Sequence, residues 1–210
     1  MRALVIHAGV TFLVVIDPVG LAPIFASLMA GRSPEERRAS ALTGILVAAA
    51  VLYVFAFIGE QLLTALGVTL AAFRIAGGVL LFLVAIDMVL ARQSGLRSTT
   101  SSEDEEAQKR HDVAVFPLAV PLIAGPGAIA SVMLLMEEAE GSWLARGVVL
   151  GLLAAILLIG YVCLLIAGRI VGLLGVTGTN VVGRVLGIVL AALAVQFIID
   201  GVLAAMTGSA

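Results

Sequence analysis

Charge is scarce in this chain. Asp, Glu, Lys and Arg make up 12% of its 210 residues, where a soluble domain carries about a quarter. So few charges cannot solvate the surface of a globular domain. The chain has one cysteine, Cys163, so no internal disulfide can form. Its apolar surroundings mark it as a packing residue. The two histidines, His7 and His111, read as lone, solvated side chains. No His, Cys and carboxylate cluster has metal-site spacing, so no metal is expected. There is no phosphate-binding glycine loop and no nucleophile–base arrangement. An enzyme is therefore not expected, and no cofactor is implied. The net charge of −2 comes without a basic stripe, which argues against nucleic acid as a partner.

What is abundant is apolar sequence. Hydrophobic residues are 61% of the chain, and the mean hydropathy is +1.19. The apolar runs are far longer than the ten or so residues of an outer-membrane strand, and they lack period-two alternation. The fold class expected is all-α, with helices spanning a bilayer. Six spans are read: 4–30, 39–66, 69–91, 113–136, 144–171 and 181–206. Ser33 followed by Pro34 is a helix-start signature ahead of the second. The stretch 92–112 is rich in Ser, Thr and charge and reads as a hydrophilic linker. The chain thus divides into 1–91, the linker 92–112, and 113–210. The start carries only Arg2 and His7 and no small-residue cleavage site, so a cleavable signal peptide is not expected. Trp143 suits the membrane–water interface.

Basic residues set the expected orientation. Six spans put Arg2, Arg74 and Arg146 on one side and the other nine basic residues on the opposite side. The positive-inside rule then places the nine, with the linker, in the cytoplasm and both termini outside.

Two of the spans are interrupted. Asp17-Pro18-Val19-Gly20-Leu21-Ala22-Pro23 lies near the middle of the first, and Pro121-Leu122-Ile123-Ala124-Gly125-Pro126-Gly127 lies within the fourth. A charge at the centre of a span costs roughly 2.5–3.5 kcal/mol, and a proline inside a helix about 3 kcal/mol. The breaks share a pattern: four residues separate Pro18 from Pro23, and four separate Pro121 from Pro126. Ala26-Ser27-Leu28-Met29 follows the first and Ala130-Ser131-Val132-Met133 the second. The third spans align as well, Arg74 with Arg184 and Gly77 with Gly187. With three spans in each half, the second half must insert upside down. This is the inverted-repeat plan of many secondary transporters, whose discontinuous helices meet near the midplane. A duplication kept for stability, with prolines that only kink two helices, is the plain alternative.

These residues resemble the MarC family, also called the neutral amino acid transporter family. The Asp17–Phe25 motif, Ala124-Gly125-Pro126-Gly127-Ala128-Ile129, Arg74-Ile75-Ala76-Gly77-Gly78 and Val195-Gln196-Phe197-Ile198-Ile199-Asp200-Gly201 carry the resemblance, which covers essentially the whole chain. It implies an inner-membrane, multi-pass protein and, for some members, transport of small neutral amino acids such as glycine and alanine.

The residues themselves support a site. Prolines suit a first helical position, so Pro23 and Pro126 are each expected to begin a half-helix, with 18–22 and 121–125 partly unwound. Half-helix N-termini attract an anion. A zwitterion fits, its carboxylate on exposed amides and its ammonium near carbonyls or Asp17. Candidate substrate-binding residues are Asp17, Pro18, Gly20, Pro23, Ser27, Pro121, Gly125, Pro126, Gly127, Ser131 and Gln196. Asp17 has three readings: a helix N-cap, a counter-ion to an arginine, or a functional group binding the ammonium or carrying a coupling proton. It is also the candidate for coupling to H+ or Na+. Arg74 and Arg184 read as snorkelling or carboxylate-paired. Gly77, Gly78, Gly147, Gly151, Gly183 and Gly187 permit close packing within the chain or between copies, which leaves a homo-oligomer open. The function expected is secondary transport of small neutral amino acids. Transport of another small solute or amphiphile is the alternative, as is a non-transporting scaffold or sensor.

Overall fold

The computed structural model describes residues 1–90 and 114–207. The linker expected at 92–112, with His111, lies outside them. The described residues are almost all helical and contain no strand. Seven helices follow in order: α1 (Arg2–Ile16), α2 (Pro18–Leu28), α3 (Pro34–Ala65), α4 (Leu70–Leu90), α5 (Pro126–Glu138), α6 (Trp143–Leu165) and α7 (Ala167–Thr207). An irregular helical segment, Ala114–Ile123, precedes α5. Five stretches are long and apolar enough to cross a membrane, α1 with α2 counting as one. The 114–123 segment and α5, bent by 55°, make a sixth if they form one span.

Local chemistry sets the helix ends. Ser33 and Glu36 form a reciprocal capping box at α3: Glu36 N–H donates to the Ser33 hydroxyl, and Ser33 N–H donates to the Glu36 carboxylate. The helix therefore starts at Pro34, five residues before the expected start of the second span. It runs 32 residues, about 48 Å at 1.5 Å per residue, which exceeds the ~30 Å hydrocarbon core. Ser142 caps α6 with its hydroxyl alone, accepting from Ala145 N–H at 3.3 Å, with no reciprocal bond. The glycine-rich stretch 175–180, between the expected fifth and sixth spans, is mostly helical. α7 passes through it with one departure at Gly175, whose φ of 62° suits glycine.

Lipid offers apolar side chains no less than a protein core does, so spans associate through close packing. The most extensive pairing is α4 along α7. A Cβ on Gly78 would lie 2.7 Å from the Ala194 carbonyl oxygen and 2.6 Å from Ile198. A Cβ on Gly187 would lie 3.1 Å from the Ala85 carbonyl oxygen and 3.0 Å from Val89. These contacts exchange under a shift of 109 positions (187 − 78). That is one fewer than aligning Arg74 with Arg184 implies, and it sets Asp87 against Gln196. The N-caps Ser33 and Ser142 stand the same 109 apart (142 − 33). Packing follows suit: α1 and α2 lie against α6, and the 114–123 segment and α5 lie against α3. A Cβ on Gly147, Gly151 or Gly183 would meet nothing within 4 Å, so these three do not serve close packing between helices of the described residues.

The interior is apolar, with Phe12, Phe25, Leu118, Ile123, Leu135 and Leu153 fully buried. Outside, Ile6, Leu46, Phe57, Leu158 and Ile188 are each more than half exposed, as a lipid-facing surface requires.

Candidate site at two helix breaks

Asp17 makes the first break, and it does so alone. The proline after it disfavours the right-handed helical region for Asp17. The residue instead takes φ 49° and ψ 66°, a left-handed conformation that Asp tolerates better than most. The backbone ladder survives the bend. Asp17 N–H donates to Leu13 O, and Leu21 N–H donates to Asp17 O, both at 3.0 Å. Pro18 has no N–H to lose. The carboxylate folds back as the α2 N-cap and accepts from Gly20 N–H at 3.0 Å. Of the three readings of Asp17, its geometry is that of the cap. Gly20 makes room for it, since a Cβ there would lie 2.0 Å from Asp17 Oδ2. Gly20→Ala should therefore displace the carboxylate. The expected loss is about 1 kcal/mol of stability, the worth of a cap, read as a lower thermal midpoint. An unchanged midpoint would mean the carboxylate has another equally good seat.

This geometry corrects the expected start at Pro23. Residues 18–22 are helical rather than unwound, and Pro23 lies inside α2. The half-helix begins at Pro18. Asp before a proline can both adopt the left-handed turn and cap the amides beyond it; Ala22 before Pro23 can do neither. Ser27 sits exposed in the last turn of α2, away from the break.

The second break is longer than expected. Phe116 and Val120, each before a proline, are extended at φ −130°. Pro117, absent from the sequence argument, thus disrupts the helix as much as Pro121. α5 begins at Pro126, as expected, with Gly125 as N-cap and no side-chain cap. A Cβ on Gly125 would lie 2.5 Å from the Pro121 carbonyl oxygen, which holds the turn to glycine. The first amides of a helix have no partner within it. Here the Gly127 and Ala128 N–H groups are left without the carboxylate that Asp17 supplies to α2.

The two breaks adjoin. Val15, two residues before Asp17, lines a cavity with Leu81, Val84 and residues of the 121–128 stretch. Its volume is ≈ 20 Å³, enough for one water and too small for an amino acid. Asp17, Pro18, Gly20 and Pro23 do not line it. Ser131 is fully buried in α5, and its hydroxyl has no hydrogen-bond partner among the described residues. Thr11 in α1 is in the same condition and was missed; its position as a hydroxyl in an apolar run is the sequence signal for it. Asp17 is the one buried charged side chain among the described residues.

Gln196 does not join this group. It is exposed on α7, and its amide donates to Asp200 Oδ1 at 2.8 Å. Arg74 pairs with Glu137, which fits the carboxylate-paired reading, while Arg184 is exposed. His7 is not lone. Its Nδ1 lies 3.0 Å from Glu138 Oε2, and its ring centroid 6.0 Å from that of Phe197. That partner is 131 positions away, beyond any sequence spacing rule. Trp143, 86% exposed, opens α6 with the Arg146 guanidinium 5.7 Å from its ring centroid, consistent with an interfacial anchor.

Two larger cavities lie at opposite ends of the α3–α6 pair. One, of ≈ 310 Å³, is bounded by the end of α3, the end of α5 and the start of α6, and includes Glu60, Glu137 and Arg146. The other, of ≈ 410 Å³, is bounded by the end of α2, the start of α3 and the end of α6.

Comparison with known proteins gives a consistent result. The pattern described as MarC family integral membrane protein matches residues 2–206. A UPF0056 membrane protein of Methanocaldococcus jannaschii is 36% identical, covering 91% of this chain and 92% of the relative. The UPF0056 inner membrane protein YhgN of Escherichia coli strain K12 is 34% identical, covering 97% and 98%. The UPF0056 membrane protein YvbG of Bacillus subtilis strain 168 is 31% identical, covering 94% and 93%. No solved structure matches.

Proposed function

Because this chain belongs to the MarC family of integral membrane proteins, we propose that it is a secondary transporter of small neutral amino acids, built as two inverted three-helix repeats. The observation that carries the proposal is the unequal pair of half-helix starts. Pro18 and Pro126 both occupy the first helical position, behind Asp17 and Gly125 respectively. α2 has its anion built in. α5 leaves the same position open at a cavity between the breaks. A substrate carboxylate completes it, on the Gly127 and Ala128 amides and the positive end of the helix. Carbonyl oxygens of the irregular backbone before Gly125 receive the ammonium. The Ser131 hydroxyl serves the same site.

The repeat reading draws on exchanged contacts: Gly78 lies against Ala194 and Ile198, Gly187 against Ala85 and Val89, and each broken helix lies against a long helix of the other half. A ≈ 20 Å³ cavity is the closed form of the site. Substrate enters when the 114–123 segment and α5 shift away from α1 and α4. Asp17 carries the coupling ion, H+ or Na+, because a buried carboxylate is the usual means of linking ion and solute movement. Both termini lie outside an inner membrane by the distribution of arginines.

The test is flux. Purified protein in liposomes should exchange labelled glycine or alanine well above protein-free liposomes. Folded protein that moves no small amino acid in either direction would remove the proposal.

A further inference from the structure

The two end cavities occupy corresponding places in the chain but differ in charge. At the start of α6 stand Gly141, Arg146 and Gly147. At the positions 109 earlier (146 − 37), the start of α3 has Arg32, Arg37 and Arg38, and all three line the ≈ 410 Å³ cavity. The α6-start cavity contains Glu60 and Glu137, while the α3-start cavity is lined by no carboxylate among the described residues. A purely structural need for an arginine at a helix start is met by Arg37 and Arg146 alike. Arg32 and Arg38, which the orientation rule also counts, concentrate positive charge at that one end.

Their charge is largely uncommitted. Arg32 reaches Glu36 at 3.5 Å, a long contact between partly exposed groups. The Arg37 Nε is buried, with no hydrogen-bond acceptor among the described residues, and so is the Arg146 Nε at the other end; what sets the α3-start cavity apart is Arg32 and Arg38 beside Arg37. The opposite wall is apolar, formed by Phe25 and Met29 of α2 and Leu164 and Leu165 of α6. The cavity lies where α2 and α6 end and α3 begins, at the end of three apolar helices. An occupant that suits both walls is anionic on one side and apolar on the other.

We infer that the cavity between α2, the start of α3 and the end of α6 binds an anionic phospholipid. Its phosphate lies against Arg32, Arg37 and Arg38, and its glycerol and first acyl carbons lie on Phe25, Met29 and Leu164. Basic pockets between spans are suited to such head groups, and arginine engages phosphate through two parallel N–H donors. The lipid satisfies the buried Nε and ties the first broken helix to α3. The inference does not depend on the transport proposal.

Thermal unfolding of the full chain in neutral detergent tests it. Phosphatidylglycerol added to a fixed excess should raise the midpoint by on the order of 3 °C more than phosphatidylcholine at the same concentration. The double variant Arg37→Gln/Arg38→Gln should lose that difference, and Arg146→Gln, at the other end, should keep it. Inorganic phosphate should give no comparable rise. Equal shifts from the two lipids on the unsubstituted protein would overturn the inference, a result that needs no variant to fold. So would retention of the full difference by the double variant, or a rise with inorganic phosphate equal to that with lipid.

Discussion

Asp17→Asn is expected to leave the protein folded and to cut solute flux about tenfold or more. Asparagine tolerates the left-handed conformation nearly as well as aspartate, and it caps helices as well. It keeps the bend at residue 17 and the bond from Gly20 N–H. Only the charge is removed, and that charge is the one buried ionic side chain among the described residues. Burying a carboxylate at this depth is expensive, and such residues are retained for ion and substrate pathways. Asp17→Ala behaves differently. It loses the cap, about 1 kcal/mol, and forces a side chain without local hydrogen bonds into the left-handed region, a further 1–2 kcal/mol or so. Its midpoint should fall clearly below that of Asp17→Asn. Flux through Asp17→Asn equal to that of the unsubstituted protein would assign Asp17 to capping alone.

Gly78→Leu should abolish assembly of the native bundle, and Gly78→Ala should destabilise it by about 2–3 kcal/mol, in the range of overpacked cores. The reason is the partner. A Cβ at Gly78 meets the Ala194 carbonyl oxygen at 2.7 Å and Ile198 N at 3.1 Å, both backbone atoms that cannot turn aside. α4 and α7 must separate along the most extensive helix contact in the protein. Gly151→Ala in α6 provides the contrast. No other helix of the described residues comes within 4 Å of a Cβ built there, so the better helix propensity of alanine should leave stability unchanged or raise it by about 0.5–1 kcal/mol. Thermal unfolding of the purified variants separates the two cases. Equal behaviour of Gly78→Ala and Gly151→Ala would contradict the packing described for α4 and α7.

The same contrast shows what was legible in the sequence. Hydropathy located five of the six expected spans, because twenty apolar residues have few other uses; the fourth is a span only if the bent pair 114–123 and α5 crosses as one. Pro126 was readable as a helix start because Gly125 before it can adopt any turn. Pro23 was misread because proline spacing does not distinguish a first helical position from an interior one; the residue before the proline does. Asp17 and Ala22 differ in that respect, and the capping reading of Asp17 already held the answer. Composition named six glycines as packing residues but could not sort them. Whether a glycine meets a backbone carbonyl, as Gly78 does, or open space, as Gly151 does, depends on rotation about the helix axis. The His7–Glu138 contact joins distant parts of the chain and has no local signal. The charge difference between the two end cavities is seen only when positions 109 apart are compared, a spacing the exchanged glycine contacts suggest and the arginine pairing, at 110, does not.

The central claim is that α5 presents open amides to a substrate carboxylate where α2 has closed its own with Asp17. Competition in liposomes tests it most directly. Unlabelled alanine should suppress labelled glycine flux, and glycinamide, which keeps the ammonium and lacks the carboxylate, should fail to suppress it at the same concentration. Suppression by glycinamide equal to that by alanine would contradict the account.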